Sequence, residues 1–362
     1  MSPTPDSIIG IPPEFTPPLA DAALKTTPED FVVHETPRFH LESRTSANKQ
    51  ISSLDSRYNI FLVSKRNLTT FQAIGFIADA LNIGREKIGY AGLKDENAIT
   101  HQYFSIPETS TLHKDELFTD QDKYLRVTFI GTSREPISVG DLFGNSFNIT
   151  VRNIAESDLA YWPTESKRHF EFINYYDTQR FGVPTGPSQT HLIGKYLQDK
   201  EFDNALPLVA ASGSAEALAA QQHTGTAVDF FDSLDQRITS FYRSAHYSFL
   251  WNSSVADRLR EISPVEKVYR DGIEYSFPQE DNFASLPLAS PYTTVRLVNS
   301  SPTALHQERA VRVNTLFHLE APKEDSLHPG KYCATISFFL PSGSYATMAI
   351  AQFLRVIGAK AQ

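Results

Sequence analysis

Strand-like segments crowd the first 150 residues, and one more returns at Tyr332–Leu340 after a helix-rich stretch from about 185 to 325. If that late strand and the helix after it rejoin the early sheet, the chain has an α+β fold whose middle region is an insertion. The early strands are predicted at Asp30–Glu35, Asn59–Ser64, Lys87–Gly92, Ile99–Ile106, Tyr124–Ile130 and Asn145–Arg152. Thr69 is predicted to cap a helix whose apolar face holds Phe71, Ile74, Ile77, Ala78 and Leu81, and Asn82 and Gly84 should end it. The middle stretch holds an Ala-rich run, Ala205–Ala220, and a long amphipathic helix near Ser240–Ile262. Pro341-Ser342-Gly343-Ser344 then opens a last helix bearing Met348, Ile350, Phe353, Leu354 and Ile357.

The 362 residues suit two domains, and 41% hydrophobic residues with 12% aromatics are enough to fill both cores. A proline-rich lead-in over residues 1–20 stands apart from them. The single cysteine, Cys333, excludes an internal disulfide and a cysteine-held metal, and its apolar neighbours mark it as a core residue. The 11 histidines show no i, i+4 pair, and there is no GxGxxG, P-loop, HExxH or GxSxG motif, so no cofactor or metal is expected. Neither a leader sequence nor a membrane-spanning run is visible, which predicts a cytoplasmic protein. The formal charge of −9 requires any nucleic-acid contact to use local basic groups. Candidates are Lys65 and Arg66, Arg85, Lys87 and Lys94, and Lys167 and Arg168, each of which reads singly as solvated surface.

Chemistry concentrates in Gly89-Tyr90-Ala91-Gly92-Leu93-Lys94-Asp95-Glu96-Asn97-Ala98-Ile99-Thr100-His101-Gln102, where small residues precede a carboxylate on a turn. Ala91 to Gln102 resembles the Ala-Gly-x-Lys-Asp-x-x-Ala-Val-Thr-x-Gln motif of the TruD family, with Ile99 in place of Val. Three further segments resemble the same family in the same order. They are Lys25–Glu35 around Pro28-Glu29-Asp30-Phe31, Asn174–Gly182 around Gln179-Arg180-Phe181-Gly182, and Phe339–Thr347 around Leu340-Pro341. Within Asn174–Gly182 two positions depart from it, Tyr176 for Phe and Asp177 for Gly, and in the closing segment Tyr345 stands for Phe.

The resemblance implies an isomerase acting without a cofactor, metal or protein partner: a tRNA pseudouridine synthase whose target is uridine thirteen in the D stem. It implies a catalytic domain with a mixed or antiparallel sheet over residues 21–184 and 326–362, and an inserted α+β domain over 185–325. The catalytic aspartate falls on Asp95. In the reaction the N1–C1′ bond breaks, the uracil turns and C5 bonds to C1′; a carboxylate can attack C1′ or take the C2′ proton, and the residues leave both routes open. Lys25 is expected beside Asp95, where a cation favours the ionised carboxylate. Tyr176 would stack on the flipped base, Asn174 would bond it or hold its loop, Gln179 and Arg180 would bond the Asp95 loop, or Arg180 a phosphate, and Lys94 would face RNA backbone. A catalytically weak paralogue that only grips folded tRNA is the alternative, drawn from the Tyr176-Asp177 departures and the net charge.

Overall fold

In the computed structural model, residues 19, 21–38, 58–108, 116–120, 122–182, 187–278, 284–298 and 301–359 are described. The proline-rich lead-in therefore lies, apart from Leu19, outside the described residues. The described chain forms two compact units, residues 21–169 with 315–343 and residues 170–314 with 344–359.

The first unit is built on a mixed sheet. Its strands are β1 (Phe31–Pro37), β2 (Tyr58–Arg66), β3 (Gly89–Tyr90), β4 (Ile99–Pro107), β5 (Glu116–Thr119), β6 (Tyr124–Ser133) and β7 (Leu142–Ile154). β8 (Lys167–Ile173) then carries the chain into the second unit. Helix α1 (Thr70–Leu81) lies between β2 and β3 in sequence, and its Thr69–Gln72 capping box and left-handed Asn82 match the predicted stop and start. Ile74, Ile77 and Ala78 are buried with Phe61, Val63, Phe104 and Ile106 of the sheet. Phe71, predicted on the same face, is instead 56% exposed, its ring edge-on to Tyr90. Ala73 takes the buried place, because the stripe is centred one residue further along the helix.

In the second unit, helices α2 (Thr190–Gln198), α3 (Phe202–Ala211), α4 (Ala217–Gln222) and α5 (Ala227–Ser233) lead into the 27-residue α6 (Gln236–Ile262). Two hairpins follow, β9 (Val265–Arg270) with β10 (Ile273–Pro278), and β11 (Ala289–Val298) with β12 (Ser301–Ala310). α6 contributes Trp251, Val255 and Leu259 to a core completed by Tyr175, Tyr275, Phe277 and Val311.

β13 (Arg312–Leu319) brings the chain back, followed by β14 (Lys323–Glu324) and β15 (Tyr332–Pro341). The strand order in the first unit is β5-β6-β2-β4-β1-β7-β15-β13, with β3 beside β4 and β14 beside β15. β1 and β4 are parallel, and β15 inserts antiparallel to β7, as the late strand in the sequence requires. The last helix, α7 (Ala346–Ala359), does not follow β15 into that unit. Met348 joins the Trp251–Tyr275 core, and Gln352 exchanges bonds of 3.0 and 2.9 Å with the amide and carbonyl of Ile173. Residues 170–182 and 344–359 group with residues 187–314 in the second unit.

Candidate active site

β3 and β4 pair through Gly89–Ser105 and Tyr90–Phe104, and residues 91–98 leave the sheet between them as a loop. A Cβ at Gly89 would meet the Ile137 carbonyl at 2.3 Å, so only glycine lets the backbones come this close. The loop is held from several sides. Gln102 Nε2 donates to the Gly92 carbonyl at 2.9 Å, Thr70 Oγ1 accepts from the Lys94 amide at 3.0 Å, and Thr70 Oγ1 in turn donates to Gln102 Oε1 at 3.3 Å. Lys94 Nζ reaches Glu35 Oε1 at 2.5 Å, with both side chains nearly inaccessible, and Glu35 Oε2 accepts from the Tyr103 amide.

Asp95 stands at the crest of this loop with its side chain 31% exposed. Lys25 Nζ donates to its Oδ2 at 2.7 Å. Lys25 holds a left-handed backbone, φ 57°, and its ammonium lies 4.2 Å from the Phe31 ring centre. Its segment is tied to the sheet by paired 2.9 Å bonds between Ala23 and Arg152. Arg152 is itself fixed by Asp30 at 2.8 Å and Asp325 at 2.6 Å. A residue other than glycine in this backbone region costs free energy that the surrounding bonds must offset.

Beneath Asp95 lies Lys65, which is fully buried. Its ammonium donates to the main-chain carbonyls of Asp95 at 2.7 Å and Leu68 at 2.5 Å. Burial brings its pKa down to about 8, against the pull of the Asp95 charge. The reading of Lys65 as a solvated surface group is therefore overturned. Strand alternation was the signal that could have found it, since Lys65 shares the inward face of β2 with Phe61 and Val63.

The second motif lies in the second unit. The Asn174 amide donates to the Val311 carbonyl at 2.8 Å, its Nδ2 donates to the Ala310 carbonyl at 3.0 Å, and its carbonyl accepts from Arg309 at 2.7 Å. Its buried Oδ1 has no hydrogen-bond partner among the described residues. Tyr176 is clamped by Asn252, which accepts from its amide and donates to its carbonyl, each at 2.9 Å. The Arg309 guanidinium sits 3.8 Å from the Tyr176 ring centre, and burial lowers the pKa of that guanidinium while Tyr176 acts the other way. Trp251 meets Tyr176 edge-on at 5.8 Å.

Asp177 is buried, accepts from the Thr178 amide at 2.8 Å, bonds the Thr347 hydroxyl, and faces Arg270 at 3.3 Å. Its φ of −78° needs no glycine. Gln179 is exposed. Arg180 Nε donates to Ser248 Oγ at 3.2 Å, with its guanidinium over Phe241.

Lys25, Lys94 and Asp95 thus gather in one unit, while Asn174, Tyr176, Gln179 and Arg180 gather in the other. Lys94 presents its ammonium to Glu35, leaving little cation exposed for RNA backbone. Arg309 and Asn252, which frame Tyr176, carry no local signature in the sequence; they reach it only through the fold.

The family model for tRNA pseudouridine synthase D (TruD) matches residues 17–224, more than half of the chain. The probable tRNA pseudouridine synthase D of Thermococcus gammatolerans is 34% identical over 302 residues, covering 80% of this chain and 68% of that protein. The probable tRNA pseudouridine synthase D 2 of Methanocaldococcus jannaschii is 26% identical over 398 residues, covering 90% of each. In fold, the chain is similar to a crystal structure described as a tRNA pseudouridine synthase D from Methanosarcina mazei, with a TM-score of 0.55 over 92% of this chain and 93% of that one, at 19% identity. With its motifs in family order, its mixed sheet and these matches together, the chain belongs to the tRNA pseudouridine synthase D (TruD) family of isomerases.

Proposed function

We propose that the protein converts a uridine of tRNA to pseudouridine, with Asp95 as the catalytic carboxylate and uridine thirteen of the D stem as the target. The observation that carries this reading is the Asp95 carboxylate, part-exposed on a multiply braced loop and paired with Lys25 at 2.7 Å. A carboxylate so placed has the chemistry to attack C1′ or to accept the C2′ proton. The departing uracil stays in the site, turns and bonds through C5, so no carrier is consumed.

A target base taken out of its stack needs a flat surface and polar groups for its edges. We assign the ring to Tyr176 and the acceptor for the N3–H of uracil to Asn174 Oδ1; the Tyr176 ring is buried under the Arg309 guanidinium and Oδ1 is buried too, so both must be uncovered to meet a base. Arg180 and Gln179 are assigned to RNA contacts on the same motif. Residues 185–325 are assigned to the inserted domain. No helix among the described residues is long and apolar enough to cross a membrane, and we assign the enzyme to the cytoplasm, where tRNA is modified.

The binding-only alternative drew on the extra charge at Asp177. That charge is met internally by Arg270 and Thr347, which removes much of its motive. The test is to incubate the protein with unmodified tRNA transcripts and locate pseudouridine by carbodiimide adducts and reverse transcription. A new stop in the D stem supports the reading, whereas bound but unmodified transcripts favour the alternative.

A further inference from the structure

We infer that Lys65 is a positioning residue for the reaction, its buried ammonium fixing the height and direction of Asp95 by clamping the main chain that carries it. The inference rests on the reading of Asp95 as the catalytic carboxylate.

A lysine on a strand ordinarily runs its stem along apolar surface and keeps its charge in water. Lys65 keeps its charge out of water, since none of it is exposed and its ammonium meets two peptide carbonyls rather than a carboxylate. A buried charge without a bonded counter-ion is costly to hold. What lysine supplies is a compact cation with three donors. Two of them join Leu68, just before α1, to Asp95 at the crest of the loop. The contact is to the peptide of Asp95 itself, so any slackening moves the carboxylate directly.

The clamp is also sensitive to pH. The charged groups that bear on Lys65 are Asp95, Lys94 and Glu96 of the loop; Asp95 and Glu96 favour its proton and Lys94 opposes it. Lys25 is bonded to Asp95, and Glu35 to Lys94. Burial outweighs the two carboxylates and brings Lys65 down to about 8. Above that pH its bonds to the carbonyls lose their ionic character and about half their strength.

The test compares wild type with Asp95→Asn, Lys65→Met and Lys65→Arg in single-turnover reactions on saturating unmodified tRNA transcript from about pH 6 to about pH 9.5. Lys65→Met is expected to lower the rate at saturation about 100-fold, the cost of a displacement near 1 Å, while transcript affinity is unchanged. The wild-type rate should fall by about tenfold above a midpoint near pH 8, and Lys65→Arg should lose that alkaline limb because arginine stays charged. A Lys65→Met rate equal to wild type, or a wild-type rate flat across the range, overturns the inference. Should Lys65→Met fail to fold, the wild-type profile decides alone. An active Asp95→Asn variant sinks the reading of Asp95 and the inference with it; an inactive one beside a fully active Lys65→Met sinks the inference alone.

Discussion

Lys25 and Asp95, 70 residues apart in sequence, meet through a 2.7 Å bond between Nζ and Oδ2, and Lys25 holds a left-handed backbone to make it. The two features have opposite effects on stability. A part-exposed ion pair contributes about 0–1 kcal/mol, and a left-handed residue other than glycine costs about 1–2 kcal/mol. Lys25→Gly is therefore expected to leave the thermal midpoint unchanged or slightly raised while turnover falls at least tenfold. A matching loss of stability would show that Lys25 serves the fold rather than Asp95.

Gln102 braces the same loop through the Gly92 carbonyl and Thr70. Gln102→Leu removes both bonds from a fully buried site and is expected to cost about 1–3 kcal/mol in urea unfolding, with turnover reduced at temperatures where the variant is folded. Unchanged turnover in the folded variant would mean that the loop holds its shape without Gln102.

Asp177 stands where the family motif has glycine, and reverting it is expected to destabilise this chain. Asp177→Gly removes the buried carboxylate that faces the part-buried Arg270, at a cost of about 1–3 kcal/mol, and adding Arg270→Met should recover much of that loss. Equal stability of the single variant and wild type in chemical denaturation would contradict the pairing.

His34 and His101 stack on neighbouring parallel strands, ring centres 4.1 Å apart, and Ser64 Oγ lies 2.7 Å from His101 Nδ1. Burial, with a smaller contribution from His34, lowers the His101 pKa to about 4 from an ordinary 6.5. Between those values the unfolded chain binds a proton that the folded chain refuses, so stability is lost as pH falls from 6.5 towards 4. His101→Gln should flatten part of that slope in thermal melts; an unaltered slope would assign the acid sensitivity to other groups.

Much of the local structure was legible because its causes are local. The capping box of Thr69 and Gln72, the stop at Asn82 and the late strand at Tyr332–Leu340 are written in short-range residue patterns. Asp95 was legible through the resemblance of its motif, since a turn aspartate alone carries little signal. The burial of Lys65 could have been read from strand alternation with Phe61 and Val63; its two carbonyl partners could not, since one of them lies 30 residues further on. The framing of Tyr176 by Arg309 and Asn252 was hidden for the same reason, as no local pattern joins residues so far apart. α7 is held by Met348 in the Trp251–Tyr275 core and by Gln352 on the Ile173 backbone, partners that its apolar periodicity does not name.

Whether Asp95 performs the isomerisation is decided by pseudouridine mapping on unmodified tRNA transcripts treated with wild type or Asp95→Asn. With Asp95 as the catalytic carboxylate, wild type gives a D-stem stop, the variant gives none, and both bind transcript equally. Modification by Asp95→Asn at the wild-type rate would contradict that role.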